Sequence, residues 1–204
     1  ECALKLADTV KPDLLLATDP DCDRVGIAVN TGSDYKLLSG NDVGALLLDF
    51  VLARRSESGT LPKNPIAVKT IVTTEICRKI AADYGCELRE VLTGFKYIGE
   101  QIKNFEQAKA ENGGKYCAKK GAYEYLFGYE ESYGCLVGTH ARDKDAVMAV
   151  TALCEAAAYY KSQGKTLWDQ MQAMYKKYGY FKESLETISL PGSEGAAKIE
   201  GILN

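Results

Sequence analysis

The apolar positions of this chain fall into short runs and helical stripes that take turns along its length. Residues 13–17 (DLLLA) form one short apolar run and residues 25–29 a second. Together they predict two strands flanking a polar loop, the first of them buried. A helix is expected over 42–54, with Val43, Leu46, Leu47, Phe50 and Val51 on one face. Asn41, after the Ser39-Gly40 break, is placed to cap it. The Ser, Gly and Pro content of 56–65 predicts a loop. The β-branched stretch 66–72 predicts a strand. Thr73 or Thr74 then caps a helix to Tyr84, which Gly85 closes.

The second half repeats this grammar. A strand over 86–91, a turn at Thr93-Gly94 and a helix over 95–112 ended by Gly113-Gly114 come first. A strand over 125–129 runs into Glu130-Glu131-Ser132, and a long helix covers 143–163. Thr166 caps a further helix to Tyr178; a last strand near 182–190 and a polar tail complete the pattern. The alternation predicts an α/β layer fold around a largely parallel or mixed sheet. Ligands of such folds sit past the carboxyl ends of strands. Four polar clusters follow strands here and are expected to share one edge: 19–24, Thr73-Thr74, Thr93-Gly94 and 130–132.

Composition narrows the class of partner. A chain of 204 residues, 46% hydrophobic and 26% charged, can bury a core without staples. A net charge of -3 without a strongly basic stretch argues against nucleic acid. Seven cysteines without a C-x-x-C pair predict neither a disulfide framework nor a zinc site, and a reducing cytoplasm fits them. One histidine, His140, excludes a His-rich metal site, and no apolar run reaches membrane-spanning length. Tyr159, Tyr160, Tyr175 and Tyr178 sit at helical spacing and are expected to pack. The chain opens on Glu1, not Met, so a piece of a longer protein is expected.

The chemistry concentrates in Asp19-Pro20-Asp21-Cys22-Asp23-Arg24. Three alternating carboxylates repel one another unless a cation holds them, and hard oxygen donors select Mg²⁺ or Ca²⁺. An EF-hand would need Gly and Glu where Arg24 and Asn30 stand. A phosphatase of the haloacid dehalogenase type also places D-x-D after an apolar strand. It then wants Thr or Val where Asp23 stands, and its downstream acidic pair is not evident. Arg24 beside the carboxylates suits a phosphate, which a guanidinium can grip through two bonds.

The segment 14–26 (LLLATDPDCDRVG) resembles the metal-binding loop of the α-D-phosphohexomutases, the phosphoglucomutases and phosphomannomutases. Thr93-Gly94-Phe95-Lys96-Tyr97-Ile98 is similar to their T-G-[FW]-K segment. Glu130-Glu131-Ser132-Tyr133-Gly134, followed by Arg142-Asp143-Lys144-Asp145, is similar to their sugar-binding loop. The wording 94–98 leans toward the phosphoglucomutase and phosphopentomutase branch.

The resemblance implies the following. Asp19, Asp21 and Asp23 hold Mg²⁺, and Arg24 and Lys144 serve the phosphoryl group. Thr93, Gly94, Lys96, Glu130, Ser132 and Arg142 bind the phosphosugar. A phosphoserine exchanges phosphate with a sugar monophosphate through a sugar bisphosphate. The implied fold is a three-layer α/β/α domain with a mixed sheet, the family's domain III, plus a short piece of domain II. The expected boundaries are 1–39 for the end of domain II, 40–165 for domain III, and 166–204 for a helix, strand and linker to a fourth domain. The phosphoserine loop is not in this sequence, so the fragment is expected to be inactive without the enzyme's other domains. A haloacid dehalogenase type phosphatase and a non-catalytic sugar-phosphate-binding domain remain the alternatives.

Overall fold

The computed structural model describes residues 2–184, 186 and 189–203. A helix, α1 (Cys2–Val10), leads into β1 (Leu14–Thr18), β2 (Val25–Asn30) and β3 (Tyr35–Leu38), an antiparallel sheet in the order β1-β2-β3. Next come α2 (Gly40–Glu57), β4 (Pro65–Thr70), α3 (Ile76–Asp83), β5 (Glu87–Val91) and α4 (Phe95–Glu111). A short 3-10 turn at Ala118–Lys120 precedes β6 (Glu124–Tyr129) and β7 (Cys135–Val137). The helices α5 (Ala146–Ser162), α6 (Leu167–Tyr178) and α7 (Gly192–Leu203) follow.

The second sheet runs β5-β4-β6-β7, parallel across β5, β4 and β6 and antiparallel between β6 and β7. It is the middle of a three-layer α/β/α fold. Ile66, Val68, Tyr125 and Leu136 pack with Phe95, Ile98, Ile102 and Phe105 of α4 on one face. Ala67, Leu126, Phe127 and Tyr129 join α2, α3, α5 and α6 on the other. Every residue of β4 is buried, as expected of a central strand covered on both sides. Helix α2 buries eleven of its eighteen residues, far more than the single face its spacing suggests, because elements surround it.

Several expectations are corrected. β1 is an edge strand, half-buried at its start and exposed at Ala17 and Thr18, not a buried one. Its uncovered side opens on an apolar groove of about 310 Å³ lined by Leu15, Leu16, Ala17 and Leu37, with Leu4 of α1. The cap of α2 is Ser39, which accepts from the Asp42 N–H while Asp42 reaches back to the Ser39 N–H. Asn41 instead accepts from the Thr74 N–H at 3.0 Å. Neither Thr73 nor Thr74 occupies the N-cap of α3; Glu75 does, without a side-chain cap. Helix α5 starts at Ala146, capped by Asp145, because residues 143–145 are spent on the turn before it. The last strand expected near 182–190 has no strand among its described residues, and residues 185, 187 and 188 lie outside them. The expected polar tail is α7.

Candidate metal and phosphosugar site

The hairpin β1–β2 presents residues 19–24 at its tip. The register Thr18↔Val25 closes the strands directly below, and the Asp19 N–H donates to the Arg24 carbonyl. Asp19 Oδ1 accepts from the N–H groups of Asp23 and Arg24 at 3.2 and 3.1 Å. Its Oδ2 takes the Arg24 Nε–H at 2.7 Å. Cys22 completes the turn in the left-handed region, with φ 58°. Asp19, Asp21 and Asp23 each offer a carboxylate oxygen, all within 4.8 Å of one another. Partial dehydration pushes the Asp19 carboxyl up. The Arg24 N–H and guanidinium and the Asp23 N–H outweigh it and hold the group well below the usual carboxylate range. The Arg24 guanidinium is raised in turn, chiefly by its hydrogen bond to Asp19.

The second loop leaves the buried strand β6. Glu130 is buried, and its Oε1 accepts from the Gly94 N–H at 2.8 Å. That bond ties the Thr93-Gly94 turn to the Glu130-Glu131-Ser132 segment. Burial pushes the Glu130 carboxyl up, against the Gly94 N–H and the charge of Lys144. Tyr133 turns the loop with φ 73°, and the Glu130 N–H donates to the Gly134 carbonyl.

The backbone joins the two loops although they belong to different sheets. Arg24 and Gly134 form an antiparallel bridge, the Val25 N–H donates to the Tyr133 carbonyl, and the Ala146 N–H donates to the Cys22 carbonyl. Lys144 lies across this seam, with Nζ 2.9 Å from Asp23 Oδ2 and 3.3 Å from Asp143 Oδ1. Its stem passes over Gly134, where a Cβ would stand 2.1 Å from the Lys144 Cδ. Partial burial lowers the Lys144 ammonium's proton affinity, and Asp23 and Asp143 more than reverse this.

The sequence-predicted residues are therefore distributed unevenly. Asp19, Asp21, Asp23, Arg24, Gly94, Glu130 and Lys144 come together through these contacts. Thr93 and Lys96 are exposed beside Gly94, with the Lys96 ammonium 5.0 Å from the Tyr97 ring centroid. Ser132 is half-buried within the second loop. Arg142 pairs with Glu106 of α4, at 2.5 Å, and donates to the carbonyls of Thr139 and Ala141. His140 is exposed, with Nε2 2.9 Å from Asp145 Oδ2. Of the expected common edge, Thr73-Thr74 is buried at the end of β4 and meets the site only through neighbours. Sequence reasoning missed Gly40 and Lys69, and the contact of Gly134 with Lys144. Only Lys69 carried a signal, a lone charge in the β-branched run 66–72.

Three carboxylates and no softer donor fit Mg²⁺, a hard cation that keeps part of its water shell. Among the described residues Asp21 makes no side-chain hydrogen bond or ion pair that would compete, and the inward bonds of Asp19, two on Oδ1 and one on Oδ2, leave a lone pair free on Oδ2.

Residues 39–178 match the family described as "Phosphoglucomutase/phosphomannomutase, alpha/beta/alpha domain III". A phosphoglucomutase of Staphylococcus epidermidis is 35% identical over 203 residues, covering 98% of this chain and 34% of its own. The chain thus spans about a third of the length of the curated relatives it matches. Among solved structures, a phosphoglucomutase/phosphomannomutase family protein of Burkholderia thailandensis superposes with a TM-score of 0.59 at 15% identity, over 85% of this chain and 31% of that one. The N-acetylphosphoglucosamine mutase of Aspergillus fumigatus, in complex with GlcNAc-6P and magnesium, gives 0.51 at 15% identity, over 85% and 37%. These two likenesses bear on the fold, and the agreement of fold, matched segment and sequence identity has one consequence: the chain belongs to the phosphoglucomutase/phosphomannomutase family.

Proposed function

We propose that this chain supplies the Mg²⁺-binding and sugar-recognition loops of an enzyme that interconverts hexose 1-phosphate and hexose 6-phosphate. One observation carries the reading. The carboxylates of Asp19, Asp21 and Asp23 converge within 4.8 Å, and the backbone bridge Arg24↔Gly134 fixes them against the loop that bears Glu130.

Asp19, Asp21 and Asp23 would hold the metal. Bound Mg²⁺ would supply charge stabilisation to a phosphoryl group in transfer. Arg24, anchored through Nε on Asp19, leaves its two terminal nitrogens to grip phosphate oxygens. Lys144 adds an ammonium whose partners in the structure are Asp23 and Asp143. Glu130 spends one oxygen on the Gly94 N–H and has the other to accept from sugar hydroxyls, with Ser132 beside it. Thr93, Gly94 and Lys96 border the sugar. Arg142 reaches a phosphate only on leaving Glu106.

The phosphoryl group would pass from a phosphoserine, outside these 204 residues, to the free hydroxyl of the sugar monophosphate. The sugar bisphosphate so formed would return its other phosphoryl group to the serine. In this reading residues 1–39 close domain II, 40–165 form domain III and 166–204 lead toward a fourth. The remaining domains are the chain's main partners, and the cytoplasm is the compartment that seven free thiols suit.

The test is a coupled mutase assay. The full-length protein primed with a sugar bisphosphate is expected to convert hexose 1-phosphate without releasing inorganic phosphate. The 204-residue chain alone should give no turnover. Phosphate release without a bisphosphate requirement would replace this reading with a phosphatase.

A further inference from the structure

Lys69 is fully buried near the carboxyl end of β4, yet its ammonium has a partner for each of its three protons. Nζ lies 2.9 Å from the Thr73 carbonyl, 2.9 Å from Glu75 Oε1 and 2.7 Å from Glu90 Oε1. The chain between β4 and α3 therefore wraps around one cation. Such an arrangement is poorly explained by stability, since a buried ion pair often does no better than an apolar side chain of the same size. Its carboxylates do not depend on Lys69 alone, because Arg78 pairs with both Glu75 and Glu90.

What the wrapped turn touches gives the ammonium a role. Thr70 Oγ1 donates to Glu131 Oε2 at 3.2 Å, and Thr73 Oγ1 donates to the Thr70 carbonyl. The Thr74 N–H donates to Asn41 Oδ1 at 3.0 Å. The neighbour of Asn41, Gly40, has its backbone so close to the second loop that a Cβ there would stand 1.9 Å from the Glu131 carbonyl oxygen. Two routes thus lead from the Lys69 turn to residues 130–133, one through Thr70 and one through Asn41 and Gly40.

We propose that Lys69 is a positioning residue whose buried ammonium shapes the β4–α3 turn and, through Thr70 and Asn41, sets the Glu130–Tyr133 loop against the aspartate loop. Its effect on catalysis rests on the phosphosugar reading above; its effect on the loop does not. Lys69 touches neither the ligand nor the metal in this role.

The experiment compares wild type, Lys69→Met and Thr70→Val in the full-length protein. The first readout is amide hydrogen exchange at Glu130 and Val25, whose N–H groups are bonded to Gly134 and Tyr133. Exchange at both should quicken in each variant, while the buried strand amides of β4 and β6 stay protected. The second readout is kinetic: KM for the hexose phosphate should rise about tenfold with kcat changed far less, as expected when the support of a binding group is loosened. Unchanged exchange at Glu130 and Val25 in a folded Lys69→Met protein overturns the proposal. If Lys69→Met does not fold, unchanged exchange in Thr70→Val overturns it. A wild type that converts no sugar phosphate would sink the function reading alone, and the exchange readout would still decide this one.

Discussion

The two loops of the site are built in opposite ways. The aspartate loop is mainly local: the bonds of Asp19 join residues 19–24 to one another across the mouth of a hairpin, with Lys144, Ala146 and Gly134 its contacts from outside, and its supporting strand β1 is half exposed. The Glu130 loop is non-local: it leaves a fully covered strand and is held by Gly94, Thr70, Gly40 and Arg24 from four other parts of the chain. Both turn on a non-glycine residue at positive φ, Cys22 in one and Tyr133 in the other, so both store some backbone strain. The difference lies in where the strain is contained. The first loop carries its own restraints, whereas the second borrows them. Damage far from the second loop should therefore reach it, while damage within the first should pass on only across the Arg24↔Gly134 seam.

The largest expected effect breaks the borrowed support. A side chain at Gly40 must push on backbone, with the Glu131 carbonyl oxygen at 1.9 Å and the Tyr133 nitrogen at 2.8 Å from the new Cβ. Gly40→Val is expected to cost about 1–3 kcal/mol, the range for overpacking a tight site, and to weaken hexose phosphate binding as well. Urea denaturation and KM measure the two. A variant of wild-type stability and KM would mean that the loop does not lean on α2.

Next comes the local loop. Among the described residues Asp21 makes no side-chain hydrogen bond, so Asp21→Asn should leave folding unchanged and lower Mg²⁺ affinity at least about tenfold, or about 1.4 kcal/mol. Calorimetric titration against wild type is the measurement, and equal affinities would remove Asp21 from the metal site. Gly134→Ala probes the seam between the loops. Its Cβ meets the flexible stem of Lys144 and not backbone, so the stability cost should stay under about 1 kcal/mol. Lys144 should nevertheless leave Asp23, and kcat should fall. An unaffected kcat would show that the Lys144–Asp23 contact is incidental.

The same contrast explains what could be read from the sequence. The D-x-D-x-D-R loop was legible because its geometry is set within six consecutive residues. The strands β4 and β6 and the helices α4 and α6 were legible because their apolar patterns dominate, Lys69 being the one charge inside β4. The exposure of β1 was not, since an apolar run looks the same whether or not something covers it. Asn41 and Ser39 are both good caps, and the choice between them fell to Asp42, which completes a reciprocal pair with Ser39. Gly40 reads as punctuation and Gly134 as the end of the loop motif; their role as contact points depends on chain segments some 91 and 10 residues away, Glu131 and Lys144. The nine-residue amphipathic helix α1 and the four-residue strand β3 were not predicted.

The smallest expected effect sharpens the comparison through pH. Burial raises the Glu130 carboxyl above its ordinary value of 4.5, so the folded state holds that proton more tightly than the unfolded chain does. The sign follows directly. The contribution of Glu130 to stability is whole below pH 4.5, and it is lost as pH rises through the raised folded value. Glu130→Gln removes this loss and keeps an oxygen for the Gly94 N–H. The variant should match wild type at pH 4 and exceed it at pH 7, by less than about 1 kcal/mol once water in the cleft is allowed for. It should also lose affinity for hexose phosphate, because an amide cannot accept as a carboxylate does. Thermal melts at the two pH values and KM test both halves. A variant less stable than wild type at pH 7 would show that Gly94 and Lys144 compensate the buried charge. The borrowed contacts would then stabilise the second loop beyond the cost of burying its charge.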